Sequence, residues 1–259
     1  MGVNIIDDIV VGFIPPTPTS KDSDAANTQT ANQSLLMHAA MLGNPVGYIQ
    51  EQNGKVIQDI FPVQGTETRQ ISSSSKAELA LHTETAFHPY RPDYVMLLCL
   101  RGDENAETTY ANIEDIEMFL SEHTTDVLQQ KWFVTGIDES FRTHGEPDMQ
   151  IPMSVLEITE QNGWRFTYDT TVMSGINEEA DTALRNLEWA ISKSIRSVAL
   201  RAGQLMVIDN NTTVHGRRPF KPRYDGRDRW LKRALVVKNL PPDTDYRDGV
   251  ITTEFTYSS

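Results

Sequence analysis

Turn residues break this chain into many short, β-rich segments, and that punctuation limits the possible folds more than any other feature. In GYIQEQNGKVIQDIF, Asn53-Gly54 separates two alternating stretches. Both residues tolerate the positive φ of a tight type I′ turn, so a hairpin is expected there. VLEITEQNGWRFTYDTT repeats the device at Asn162-Gly163. Further strands are expected over 79–85, 94–100, 108–112, 204–209 and 231–238, with an opening strand ahead of Pro15-Pro16. Helical spacing is confined to three places. LLMHAAM predicts a short helix over 34–41, stopped by Gly43 and Pro45, and a second is expected over 113–128. The third runs from Glu178 to about Leu200, with Leu184, Leu187, Ile191, Ile195 and Val198 at helical spacing and Asn177 as its cap. Residues 15–33, PPTPTSKDSDAANTQTANQ, lack any apolar period and read as a loop or linker. No longer repeat is visible, which excludes solenoids and propellers. The expected architecture is mainly β with flanking helices, a double-stranded β-helix (a cupin-like jelly roll), formed by residues 1–259 as a single domain.

Composition narrows the class of partner. The 36 acidic residues outnumber 23 basic ones, for a net charge of −13, and such a surface repels phosphate backbones and anionic membranes. A small-molecule substrate is expected, with neither nucleic acid nor membrane as partner. No stretch approaches the roughly 20 apolar residues of a membrane helix, and MGVNIIDDIVVGFIPP lacks a cationic leader. Cys99 is the single cysteine, so no intrachain disulfide or thiolate metal cage can form, which fits a reducing cytoplasm.

Six histidines are present: His38, His82, His88, His123, His144 and His215. In LHTETAFHPYR, His82 and Glu84 stand two apart on an expected strand, which places both side chains on one face. His215, in NTTVHGRRPF, follows the apolar strand LMVID and precedes a glycine. Two imidazoles and one carboxylate on a β-scaffold make the facial triad that holds iron(II) and leaves positions open for co-substrate and oxygen. Downstream, RRPFKPRYDGRDRWLKRA places Arg229 and Arg233 four apart, on one face of the last strand. A 2-oxo acid chelating the metal through its keto-acid end needs such a cation for its far carboxylate. Arg217, Arg218, Lys221 and Arg223 are expected to form an exposed basic loop. A non-catalytic metal-binding or sugar-binding jelly roll would need no Arg229, and the absence of a Gly-x-Ser-x-Gly elbow removes support for a hydrolase.

The segments LHTETAFHPYRPDYVMLLCLR, RFTYD and VIDNNTTVHGRRPFKPRYDGRDRWLKRALV resemble the clavaminate synthase-like branch of the TauD-related, 2-oxoglutarate-dependent oxygenases, which includes asparagine oxygenase and arginine β-hydroxylase. The likeness covers about residues 12–237. It implies Fe(II), 2-oxoglutarate and O2, with His82, Glu84 and His215 as the iron ligands. Arg229 would hold the far carboxylate of 2-oxoglutarate, assisted by Thr108, or by Thr109 if the register slips by one. Arg233 matches a position that holds the substrate's carboxylate, and Asp169 one that binds its amine or cationic side chain. Ser72, Glu51 and Gln52 match pocket-lining positions, while His88 and Tyr90 match residues that pack beneath the site. The implied reaction is hydroxylation of a free L-amino acid, at C3 first and C4 second, coupled to decarboxylation of 2-oxoglutarate to succinate and CO2. The same cofactors support desaturation or cyclisation in natural-product (antibiotic) biosynthesis, whereas Glu84 fills the position a halogenase needs for halide. Members of this branch usually carry a longer N-terminal portion, so part of the flanking helical layer is expected to be missing.

Overall fold

The two longest strands, Tyr94–Arg101 and Trp230–Val237, are buried on both faces, and the fold is built around them. The computed structural model describes residues 2–20, 28–138, 141, 151–160 and 163–253. In chain order the elements are β1 (Val3–Ile6), α1 (Gln29–Ala40), β2 (Asn44–Tyr48), β3 (Ile57–Ile60), β4 (Leu79–His82), β5 (Tyr94–Arg101) and β6 (Thr108–Asn112). There follow α2 (Ile113–Ile116), α3 (Glu122–Leu128), β7 (Phe133–Thr135), β8 (Leu156–Ile158), β9 (Trp164–Phe166) and β10 (Met173–Gly175). The chain continues through α4 (Glu178–Ser194), β11 (Arg196–Val198), β12 (Leu205–Asp209), β13 (Thr213–Arg217), β14 (Trp230–Val237), β15 (Tyr246–Arg247) and β16 (Val250–Ile251).

A large sheet runs β1-β12-β5-β14-β2-β16-β15, with β3 also paired to β14, and a smaller sheet runs β11-β6-β13-β4. Period-2 alternation separates two layers of core across the large sheet. Met96, Leu98 and Leu100 of β5, with Ala234 and Val236 of β14, pack under Leu35 and Ala39 of α1. Val95, Leu97 and Cys99, with Leu231 and Leu235, face inward towards the small sheet. The outer face of the small sheet, through Ala111 and Val214, packs on Ile113, Leu128, Leu184 and Leu187 of the remaining helices. The order is therefore helix, large sheet, small sheet, helices, and the site lies between the sheets.

Several expectations are corrected. Asn53-Gly54 does take positive φ (57° and 75°), but β2 and β3 do not pair with each other. They lie along the same edge of β14, β3 against Leu231–Ala234 and β2 against Leu235–Val237, so the turn between them is a jog rather than a reversal. The Asn162-Gly163 hairpin is present as β8 paired with β9, although its tip at 161–162 lies outside the described residues. The linker expected over 15–33 ends early, because α1 begins at Gln29; residues 21–27 lie outside the described residues. The helix expected over 113–128 breaks at Leu120, where the chain turns extended and Ser121 caps a new helix by accepting from the Thr124 N–H at 3.1 Å. Asn177 caps α4 as expected, accepting from the Ala180 N–H at 2.8 Å. The helix stops at Ser194, and Val198 sits instead in β11, where pairing to β6 outweighs helical spacing.

Candidate metal and co-substrate site

Strand register brings the two histidines together. His215 on β13 pairs directly with His82 at the end of β4, and their ring centroids are 4.6 Å apart. The Nδ1 of His82 lies 2.8 Å from the Ala80 carbonyl, so Nδ1 carries the hydrogen and Nε2 is left as the lone-pair donor. Glu84 corrects one expectation: the strand ends at His82, and Glu84 opens a turn in which Thr85 has φ 50°. Asn210 fixes that turn. Its Oδ1 accepts from the Glu84 N–H at 2.7 Å, and its amide donates to the carbonyls of Glu84 (3.1 Å) and Pro92 (2.8 Å). Glu84 Oε2 thereby comes to 3.5 Å from His215 Nε2. Among the described residues, only His82, Glu84 and His215 bring three metal-donor side chains within 4.8 Å of one another. Two neutral imidazoles and a carboxylate suit a divalent first-row metal such as iron.

The electrostatics favour the ligating forms of Glu84 and His215. Burial alone would raise the Glu84 carboxyl, but Arg233, then His215 and His82, hold it well below the usual carboxylate range. Burial lowers His215 from its ordinary value despite the neighbouring Glu84, so its imidazole stays neutral.

The donors adjoin a cavity of about 400 Å³, within the range of small-molecule sites. Its two ends differ in charge. At one end Arg229, immediately before β14, donates through Nη2 to the Thr108 hydroxyl at 3.1 Å; Thr109 does not line the cavity. Arg217 lies at this end too, contrary to the exposed basic loop expected for it. It is only 2% exposed, stacks over Phe220, and donates to the carbonyls of Ser75 (3.2 Å) and Ala77 (3.0 Å) and to the Ser74 hydroxyl (3.0 Å). Arg218, Lys221 and Arg223 are exposed as expected. Burial lowers Arg217 and Arg229 each to about 10, so both remain cations at neutral pH.

The other end is acidic. Asp169, Glu51 and Asp138 line it, with Ser72 on the wall. Asp169 is bridged to the backbone of His82, and its Oδ1 accepts from the N–H groups of Thr171 and Val172 and the Thr171 hydroxyl. Asp138 has no counterpart in the sequence reading. It faces the cavity, and burial, then neighbouring Asp169 and Glu84, push its carboxyl well above the usual range. Arg233, buried between these ends, pairs with both Glu51 and Glu84. Gln52 is the one expected pocket residue that does not line the cavity; its amide reaches back to the Asp59 carbonyl. His88 and Tyr90 pack as expected below the site, the His88 ring edge-on to Tyr48.

Arg217 and Asn210 were the residues missed with a usable signal. Arg217 stands two beyond His215, the same strand-face step that joins Arg229 to Arg233 in two strides, and Asn210 is the first of two adjacent asparagines directly after β12.

Comparison with known proteins places the whole chain among iron-dependent oxygenases. The chain is 33% identical over 272 residues to the enduracididine beta-hydroxylase of Streptomyces hygroscopicus, covering 95% of this chain and 78% of that protein. It is 36% identical over 229 residues to the L-asparagine oxygenase of Streptomyces coelicolor, covering 88% and 68% respectively. Among solved structures, asparagine oxygenase in complex with Fe(II), 2S,3S-3-hydroxyasparagine and succinate superposes with a TM-score of 0.88 at 33% identity, over 98% of this chain and 80% of that one. The non-heme iron oxygenase OrfP, in complex with Fe, succinate and (3S)-hydroxy-L-Arg, superposes with a TM-score of 0.83 at 31% identity, over 93% and 77%. The model of the taurine catabolism dioxygenase TauD, TfdA family matches residues 22–235, and the chain belongs to that family.

Proposed function

We propose that the protein hydroxylates a free L-amino acid with a basic side chain at C3, using O2 and converting 2-oxoglutarate to succinate and CO2. The observation that carries this reading is the three-donor cluster of His82, Glu84 and His215 opening onto a cavity with a cationic and an acidic end. Bound iron and 2-oxoglutarate supply the oxidising chemistry, and the protein supplies binding and aim. In this reading His82, Glu84 and His215 hold the metal. Arg229 and Thr108 receive the far carboxylate of 2-oxoglutarate, because a buried guanidinium with no carboxylate hydrogen-bonded to it among the described residues favours an incoming anion. At the opposite end, Glu51 is placed for the α-amine, and Asp169 with Asp138 for the far cation of the side chain. Arg233 sits where the substrate carboxylate would arrive. An amino acid held at both termini presents its C2–C4 stretch to the metal, and the names of the relatives, a beta-hydroxylase and enzymes bound to 3-hydroxylated products, support C3. The single, buried Cys99 supports action in a reducing compartment.

Anaerobic addition of Fe(II) and 2-oxoglutarate should produce a weak visible charge-transfer band, absent in His82→Ala. A panel of free amino acids should then give a one-oxygen mass increase matched by succinate, with arginine, ornithine or lysine as substrate. No band and no succinate with any amino acid would remove the oxygenase reading. Turnover of asparagine alone would leave the chemistry standing and overturn the basic side chain.

A further inference from the structure

Arg233 is engaged before any substrate arrives. Of its five N–H hydrogens, that on Nε goes to Gln58 Oε1 at 2.8 Å, and those on Nη2 reach Glu51 and Gln58. Nη1 donates to Glu84 Oε1 at 3.0 Å. One hydrogen is left over, on Nη1. A substrate carboxylate seeking two parallel N–H bonds therefore cannot be clamped by Arg233 unless Glu51 or Gln58 gives way.

The contact with Glu84 has its own consequence. Asn210 fixes the Glu84 backbone but leaves the side-chain torsions free. The two carboxylate oxygens are nevertheless divided, Oε1 to Arg233 at 3.0 Å and Oε2 towards His215 Nε2 at 3.5 Å. Both side chains are almost fully buried, so the ion pair is little screened. We infer that Arg233 is a positioning residue for the metal centre, whose guanidinium occupies Oε1 of Glu84 and so makes the carboxylate offer one oxygen, not two, to the metal. A one-oxygen Glu84 keeps open the position that a chelating carboxylate would fill.

This inference rests on the reading of His82, Glu84 and His215 as metal ligands, and the test separates the two. The full-length protein, stripped with a chelator, is titrated with Co(II) alone, without 2-oxoglutarate or amino acid, reading affinity and the visible ligand-field spectrum. Wild type should bind one Co(II), and Arg233→Lys and Arg233→Met should bind it roughly 10–100-fold more weakly, as for loss of other partners that orient a ligand, with an altered spectrum. Arg233→Lys keeps the buried charge, so the comparison survives if Arg233→Met fails to fold; circular dichroism checks both. Glu51→Gln retains the Arg233–Glu84 contact and should keep wild-type affinity. Wild-type affinity and spectrum in Arg233→Lys would overturn the inference while leaving the metal site intact. An equal loss in Glu51→Gln would overturn it too, by assigning the effect to the network and not to the Glu84 contact. No Co(II) binding by wild type would remove the metal reading itself.

Discussion

At the scale of single residues, the site is organised by which charges lack partners. Among the described residues Arg229 is buried and hydrogen-bonded to a hydroxyl and to no carboxylate, so on the proposed reading its substitution should separate co-substrate binding from the rest of the reaction. Arg229→Gln should raise the KM for 2-oxoglutarate by roughly 10–100-fold, the cost of one charge-assisted bond at about 1.5–3 kcal/mol, with a smaller change in the KM for the amino acid. Succinate release measured against both substrates checks this, and equal effects on the two KM values would count against the assignment. His88 carries a different prediction. Its Nδ1 accepts from the Tyr90 N–H at 2.9 Å, and burial lowers the ring to about 3 from an ordinary value of 6.5. Between those values the unfolded chain binds a proton that the folded one refuses. Stability should therefore fall as pH drops below 6.5, by at most about 1.4 kcal/mol per pH unit. His88→Gln should flatten the dependence of the urea midpoint between pH 6 and pH 4, even if it lowers the midpoint throughout. Parallel curves would show that other groups set the acid limit.

At the scale of elements, the jog between β2 and β3 places Glu51 in the cavity, and its geometry depends on Gly47. A Cβ there would meet the Gly54 carbonyl oxygen at 2.3 Å and its carbon at 2.7 Å. Gly47→Ala must push the turn outward, at a cost of about 1–3 kcal/mol typical of overpacking. Because Glu51 donates its N–H to the Tyr48 carbonyl and accepts from Gly54, it moves with the turn. The expected outcome is a raised KM for the amino acid with the KM for 2-oxoglutarate little changed, read from initial rates at saturating partner substrate. The jog also shows where sequence reading runs out. Asn53-Gly54 announces positive φ, but a third left-handed residue, Gln52 (φ 47°), precedes it, and nothing local distinguishes a reversal from a step along the same neighbour. Partner choice was settled by β14, nearly two hundred residues away. Strands β6 and β12 were legible to within a residue, because their β-branched, aromatic and apolar residues agree with the pairing and burial they find. Glu84 was legible as a member of the three-donor cluster for a reason only half right: it does lie with His82 and His215, yet the backbone there is a turn bracketed by Asn210, a contact across 126 positions. Asp138 was not legible at all, since a loop carboxylate has no period to mark the direction it faces.

At the scale of the whole molecule, the cavity is a joint between two sheets. Ile60, Leu97, Leu231 and Arg233 come from the large sheet, and Leu79, His82, Thr108 and His215 from the small one. The apolar contacts around them hold the sheets together, while Glu51, Glu84 and Asp169 concentrate negative charge in the gap and Arg217 and Arg229 concentrate positive charge. Ligands of opposite charge at the two ends relieve that repulsion and bridge the sheets, so they should bind the folded state and not the separated strands. Linkage then fixes the size of the effect: a ligand at a hundred times its Kd contributes about 2.7 kcal/mol. At roughly 2–4 °C per kcal/mol for a chain of this size, a metal ion and 2-oxoglutarate should each raise Tm by roughly 5–10 °C. Anaerobic melts followed by circular dichroism, with a chelator as the reversal, check it. His82→Ala should lose the metal-dependent part of the shift, and Arg229→Gln should lose the further increment on adding 2-oxoglutarate while keeping the metal's own. If either variant shifted as wild type does, its residue would not lie at the joint that the ligands close.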